Sequence, residues 1–372
     1  MSETPVFKQP QALEAIAHDT VSFMSLLLGM KDHSQSGLLA HGLLPPASMY
    51  IVESYNTLKK LAPDVADTLL EELATQVQPT RHRAKLLDNP EKSVEQVANE
   101  LAEVSQRQTQ FFMKPHTGFW GILKRAIQPD LGLSIYDEHV FSTTHATAFS
   151  FGDDRNISTK AFAIGKAIGA YTTTLVNLFG LPMPTPTPLT VLSGTIKMRD
   201  IKSSAFYKRG LLGNAPIELA TGMTLLLVNL NYMRYIMQPL LPVAGHTQFR
   251  LKFIVAYHAD SNIGTIQNQL RSSSSIPKDT VNLLGDALGN PDSRWLRKKS
   301  ILRNLLVHYA IEEKLTTSLK PEANRLQTIE HFGGKSFSEI DALLDRHIER
   351  MSLIFEEGFS LAGDPFWYGH VT

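Results

Sequence analysis

The chain has 372 residues, 43% hydrophobic and 19% charged, the make-up of a globular protein long enough for a large core and for two units of ordinary domain size. Lys plus Arg number 36, as do Asp plus Glu, so the molecule as a whole is no polyanion binder and any nucleic-acid contact has to come from local charge. Cysteine is absent, which excludes disulfides, a thiolate nucleophile and every cysteine metal site, and fits a cytoplasmic location.

After a polar tail, Leu13, Ile16, Val21, Met24 and Leu28 recur near helical spacing and predict a helix from Pro10 to Leu28. Its apolar part, Val21 to Met30, is too short for a signal peptide and lacks a cleavage pattern. Gly37, Gly42, Pro45 and Pro46 predict a loop, followed by a helix over Ala47–Leu61. Pro63 and Asp64 suit the first turn of a helix running to Gln76, and Leu86 to Glu91 reads as a turn. Val94, Val97, Leu101 and Val104 form one stripe of a helix over Ser93–Phe112.

Residues 113–155 are broken by Pro115, Gly118, Pro129 and Gly132; within them the Val, Thr and Phe content of His139–Phe151 predicts a short hairpin. His139 and His145, with Asp137 nearby, do not make a ligand set for a metal, and no metal or cofactor is expected. A helix returns over Ile157–Phe179, where Gly165 and Gly169 would permit close helix contact. Alternating prolines from Pro182 to Pro188 predict a stiff extended connector, either between two domains or inside one.

From Pro216 the sequence is helical again, with segments Ile217–Gln238, Phe249–Leu270, Pro277–Leu288, Asp292 to about Leu315 and Ser338–Gly358. Ser338 would cap the last of these, with Asp341 in its first turn, and Ser272–Ser275 would be a loop. Met223–Ala244 is the most apolar stretch, but Asn229, Asn231, Arg234, Gln238, Pro239 and Pro242 speak against a membrane span. The expected fold class is mainly α, with an N-terminal helical region over 1–155 and a helical bundle over 156–372; the alternative boundary is the proline-rich segment 180–188.

Chemistry concentrates in Ile301-Leu-Arg-Asn-Leu-Leu-Val-His-Tyr309, where Arg303, Asn304 and His308 stand in an apolar frame. Imidazole moves protons near neutral pH, to or from a ribose 2′-hydroxyl or a leaving oxygen. Guanidinium holds phosphate in a fork and stabilises developing charge, and Asn304 would orient either group. Five positions correspond to about 140° around a helix, so Arg303 and His308 would flank a groove or meet through a second copy of the helix. Just upstream, Arg294, Arg297, Lys298 and Lys299 make a basic run with no acidic residue, which would attract a nucleic-acid backbone. An alternative role for the pair is structural, with Arg303 bridged to Glu312 or Glu313; the basic run would then be a solvated face.

Arg-Asn-Leu-Leu-Val-His-Tyr resembles the signature of HEPN domains, an Arg followed by a polar residue and, four to six positions on, by a His. The order of helices around it, from Phe249-Arg-Leu-Lys-Phe-Ile-Val-Ala-Tyr-His258 onward, is similar to the HEPN bundle over about residues 190–360. A second Arg–His spacing, Arg325 to His331, lacks the polar residue and is set aside. The resemblance implies a metal-independent endoribonuclease acting on RNA as a homodimer, with Arg303 and His308 catalytic, Asn304 in support, and no cofactor. It also implies a setting in toxin–antitoxin or phage-defence systems, with an antitoxin or other protein partner. The alternative is a non-catalytic helical interaction or nucleic-acid-binding module of such a system.

Overall fold

The computed structural model describes residues 9–31, 33–64, 66, 68–85, 94–112, 128–152, 157–243, 245–271, 276–309 and 323–361. Long helices dominate because most of the chain repeats apolar residues at helical spacing. In order they are α1 (Gln9–Met30), α2 (Ser36–Leu61), α3 (Thr68–Ala84) and α4 (Val94–Phe112), then α5 (Thr144–Phe151) and α6 (Ile157–Leu178). After a short α7 (Ser203–Tyr207) come α8 (Ile217–Asn231), α9 (His246–Arg271), α10 (Lys278–Gly289), α11 (Pro291–Leu296), α12 (Ser300–His308), α13 (Arg325–Gly333) and α14 (Phe337–Gly358). Mainly α is therefore the fold class. Among the described residues no helix is long and apolar enough to cross a membrane.

A three-stranded antiparallel sheet, in the order β2-β1-β3, interrupts the helices. Strand β1 (Leu131–Tyr136) and β2 (His139–Thr143) form a hairpin whose turn, Asp137 and Glu138, takes positive φ at both positions. Strand β3 (Ile196–Ile201) pairs with β1 from Leu131↔Ile201 to Tyr136↔Ile196. The expected hairpin over His139–Phe151 is thus displaced: its first strand begins at Leu131, and its second half is α5, capped by Thr143 through the Ala146 amide at 3.0 Å.

The largest departure from expectation lies in α2. Gly37 to Pro46, with its loop residues, is helical and continuous with Ala47–Leu61. Leu39, Leu43, Leu44 and Ala47 are all buried, so a helical stripe underlies the Gly and Pro punctuation. Gly42 leaves room for the Tyr232 ring, whose hydroxyl donates to the Leu39 carbonyl at 2.7 Å. Tertiary packing outweighs the two donors lost at Pro45 and Pro46.

Helix α3 likewise starts at Thr68 rather than Pro63 and runs through Pro79 to Ala84, past the expected end at Gln76. Gly165 and Gly169 on α6 face open space and permit no helix contact. The segment expected as one helix from Asp292 to Leu315 is two, α11 and α12, parted by a turn at 297–299; α12 stops when Tyr309 enters the left-handed region at φ 55°. Ser336, not Ser338, caps α14, in a reciprocal pair with Glu339. The expected turn at Leu86–Glu91 and loop at Ser272–Ser275 lie outside the described residues.

One cluster of buried apolar side chains runs from Ala12 to Leu361 and draws on helices from both sides of residue 155. The alternating-proline stretch is extended, as expected, and lies along α1. Ser25 Oγ donates to the Thr185 carbonyl at 2.6 Å, the Thr187 amide donates to the Ser25 carbonyl at 3.0 Å, and Gly29 lets the Thr187 backbone approach. It is a strap across the body. At the centre, α9 packs against α1, α8, α10, α12 and α14, while α12 also contacts α2.

Candidate functional site

Helix α12 has two unlike faces. Leu302, Leu305, Leu306 and Val307 are buried, while Arg303, Asn304 and His308 are half-buried on the remaining arc. The helix is short, so its ends need partners from elsewhere in the fold. At its C-terminus Arg250 of α9, fully buried, donates Nε to the Leu306 carbonyl at 2.5 Å and Nη2 to the Val307 carbonyl at 3.3 Å. Its Nη1 donates to Asp19 Oδ2 of α1 at 2.8 Å, and the guanidinium lies 4.3 Å from the centre of the Tyr309 ring. Tyr309 in turn donates its hydroxyl to Asp19. One cation therefore satisfies two orphan carbonyls of α12 and a buried carboxylate at once. Burial pushes the Asp19 carboxyl up, but the Arg250 charge and the His246 and Tyr309 contacts outweigh it, so its pKa falls well below the usual carboxylate range.

The His308 carbonyl is held as well, by Thr57 Oγ1 of α2 at 2.9 Å. One turn earlier on α2 stands Glu53, only 4% exposed, and His308 Nδ1 lies 2.6 Å from its Oε2. Oε1 of the same carboxylate accepts Nε of Arg81, from α3, at 2.7 Å and is also reached by Nη2. Burial raises the pKa of Glu53; the hydrogen bond from His308 and the charge of Arg81 outweigh that and bring it down to about 2. An ionised carboxylate only accepts, so Nδ1 carries the hydrogen and Nε2 is the nitrogen left for chemistry. The imidazole side chain is 40% exposed, so it is anchored at one edge and open at the other.

Arg303 and Asn304 are brought together: Arg303 Nη1 donates to Asn304 Oδ1 at 3.0 Å, while Arg303 Nε is buried with no hydrogen-bond partner among the described residues. His308 is held separately, by α2. The alternative bridge from Arg303 to Glu312 or Glu313 falls on residues outside those described.

The basic run divides in two. Arg297 Nη2 donates to the Leu288 carbonyl at 3.0 Å, and Lys299 Nζ donates to the Phe332 carbonyl at 3.1 Å and lies 5.3 Å from the Trp295 ring centre. Both fasten the turn between α11 and α12. Burial, with the Lys335 charge nearby, lowers the Lys299 pKa. Arg294 and Lys298 are exposed on the same turn region. Among the described residues no group of three or more His, Asp or Glu is placed to hold a metal ion.

Sequence reasoning missed Glu53, Arg81, Asp19 and Arg250. Glu53 and Asp19 each had a signal: a lone carboxylate inside an apolar helical run, which needs a buried cation or donor to be tolerated there.

Comparison with known proteins adds no relative: no family model matches the chain, and no curated protein or solved structure is significantly similar to it.

Proposed function

We propose that the chain is a metal-independent endoribonuclease of HEPN type, working as a homodimer in a toxin–antitoxin or phage-defence setting. The observation that supports this best is the His308–Glu53 pair, an imidazole oriented by a buried carboxylate with its second nitrogen left open. His308 Nε2 takes the proton of a ribose 2′-hydroxyl. The freed oxygen attacks the adjacent phosphorus, the bond to the 5′-oxygen breaks, and that oxygen takes up the proton that the His308 imidazolium now carries. The products are a 2′,3′-cyclic phosphate and a 5′-hydroxyl. Arg303 receives the phosphoryl oxygens and Asn304 orients its guanidinium. Glu53 is a positioning residue, and Arg294, Arg297, Lys298 and Lys299 steer RNA toward the helix. A second copy of α12 across a two-fold axis brings the other Arg303 to each His308, completing two phosphate sites.

Expression from an inducible promoter tests this in cells. Wild type should arrest growth, and Arg303→Ala with His308→Ala should not. Arrest by the double variant, or none by wild type, counts against the toxin reading.

A second reading is favoured by the partners inside the chain: Arg303 is tied to Asn304 and His308 to Glu53. In it the helix is an interaction module that binds a partner protein and cuts nothing. A pull-down with a specific partner, together with intact RNA, is its signature.

A further inference from the structure

Behind α12 the cluster around Asp19 carries an imbalance of charge. Arg250 and Arg325 bring two guanidiniums; Asp19 is the buried carboxylate between them, and the exposed Glu14 is a second carboxylate near Arg325. The oxygens of Asp19 are already taken by Arg250 at 2.8 Å, by the Tyr309 hydroxyl and by Thr247 Oγ1 at 2.7 Å. Arg325 opens α13 and is only 8% exposed. Its one hydrogen bond among the described residues runs from Nη1 to the Gln11 carbonyl at 3.2 Å; Nε and Nη2 are buried with no partner. Those two nitrogens form the side edge of the guanidinium, whose parallel N–H groups fit two oxygens of one oxyanion.

His246 opens α9, a helix of 26 residues whose N-terminus adds positive potential. Among the described residues both of its ring nitrogens are buried without hydrogen-bond partners, and its Nδ1 stands 3.7 Å from Asp19 Oδ1. Arg325 lies 6.0 Å from the Tyr309 ring centre, and Tyr309 is bonded to the same Asp19 that His246 approaches, so the two side chains flank one Asp19–Tyr309 pair; burial and the Arg325 charge bring the His246 pKa down to about 4. Burial also lowers Arg325, to about 10, which leaves it a cation at neutral pH. A buried cation with an unpaired fork is costly unless an anion meets it.

We propose that the Nε–Nη2 edge of Arg325, together with His246 at the head of α9, is a binding site for one small oxyanion of the phosphate or phosphomonoester class. The site is distinct from the ribonuclease groups and does not rest on their assignment. It adjoins the Asp19–Arg250–Tyr309 system that holds the end of α12.

Calorimetric titration of the full chain with inorganic phosphate, with glycerol phosphate and with sodium chloride at matched ionic strength tests the site. Phosphate should bind at a site that Arg303→Ala with His308→Ala leaves intact, and chloride should give no comparable heat. Binding of glycerol phosphate too assigns the site to phosphomonoesters; its failure assigns it to the free ion. Arg325→Gln should weaken phosphate at least about tenfold. His246→Gln, at a less buried position, should weaken it about threefold or more, and decides the matter if the first variant does not fold. Equal heats from phosphate and chloride, or unchanged affinity in the folded variants, would overturn the proposal. Heat is read here, not RNA cleavage, so its failure and that of the nuclease reading are separable.

Discussion

His308 Nδ1 donates to Glu53 Oε2 across 2.6 Å, joining the last residue of α12 to the middle of α2. Glu53 is shared with Arg81, so one buried carboxylate fixes both the imidazole and the end of α3. The side chain proposed to move a proton is thereby set by the core of the molecule, and the consequences reach stability as well as activity.

Removing Arg81 isolates that carboxylate. Arg81→Met keeps much of the side-chain volume but leaves Glu53 buried without its cation, with the His308 imidazole as its remaining side-chain partner among the described residues. Breaking a buried pair from one side costs about 3–5 kcal/mol. Urea unfolding at pH 7 should show a loss of that size, and a change under about 1 kcal/mol would mean that the pair is solvated.

Acid should act in two windows. His145 and His246 are both lowered from 6.5 to about 4, in each case chiefly by burial, so the fold holds them neutral while the unfolded chain takes up protons below pH 6.5. Their contribution is present above pH 6.5 and is lost as pH falls toward 4, by about 3 kcal/mol each. Glu53 is lowered from 4.5 to about 2, so its contribution is present above pH 4.5 and is lost as pH falls toward 2, again about 3 kcal/mol. In phosphate-free buffer the urea midpoint should therefore drop between pH 7 and pH 5, before carboxylates titrate. His145→Gln should remove about half of that early drop.

Arg250 is the anchor of α12. Arg250→Met leaves Asp19 buried without its main cation and the Leu306 and Val307 carbonyls without donors. The global cost should be on the order of 3–5 kcal/mol. Hydrogen exchange should rise in the last turn of α12 beyond what global destabilisation explains. Uniform exchange across the molecule would show that Arg250 has no special hold on that helix.

The strap tests packing alone. A Cβ on Gly29 would stand 2.1 Å from the Thr187 carbonyl oxygen, and backbone yields little. Gly29→Ala should cost about 1–3 kcal/mol by thermal unfolding, although alanine favours the helix. A stabilised variant would show that the strap lifts off α1 without loss.

Long helices with uninterrupted stripes, such as α1, α6, α9 and α14, were legible from spacing because nearly every turn contributes to one buried face. The first half of α2 was not, since Gly42, Pro45 and Pro46 follow local turn chemistry while Leu39, Leu43 and Tyr232 obey the core. Strands β1 and β3 are too short to outweigh their surroundings, and their partners, from Leu131↔Ile201 to Tyr136↔Ile196, lie far apart in sequence. Arg303, Asn304 and His308 could be picked out because their spacing is local. Glu53 could not be matched to His308, because 255 positions separate them and no periodicity reports such a pairing. The turn at 297–299 escaped notice for the same reason: carbonyls of Leu288 and Phe332 fasten it.

The role proposed for His308, held by Glu53, is to move a proton during RNA cleavage. Its most direct test is the rate at which the purified chain cuts single-stranded RNA in EDTA, wild type against His308→Ala. Wild type should cleave, leaving 2′,3′-cyclic phosphate ends, and the variant should lose about 10²–10⁴-fold in rate. Equal rates for the two proteins, or no cleavage by wild type, would contradict it.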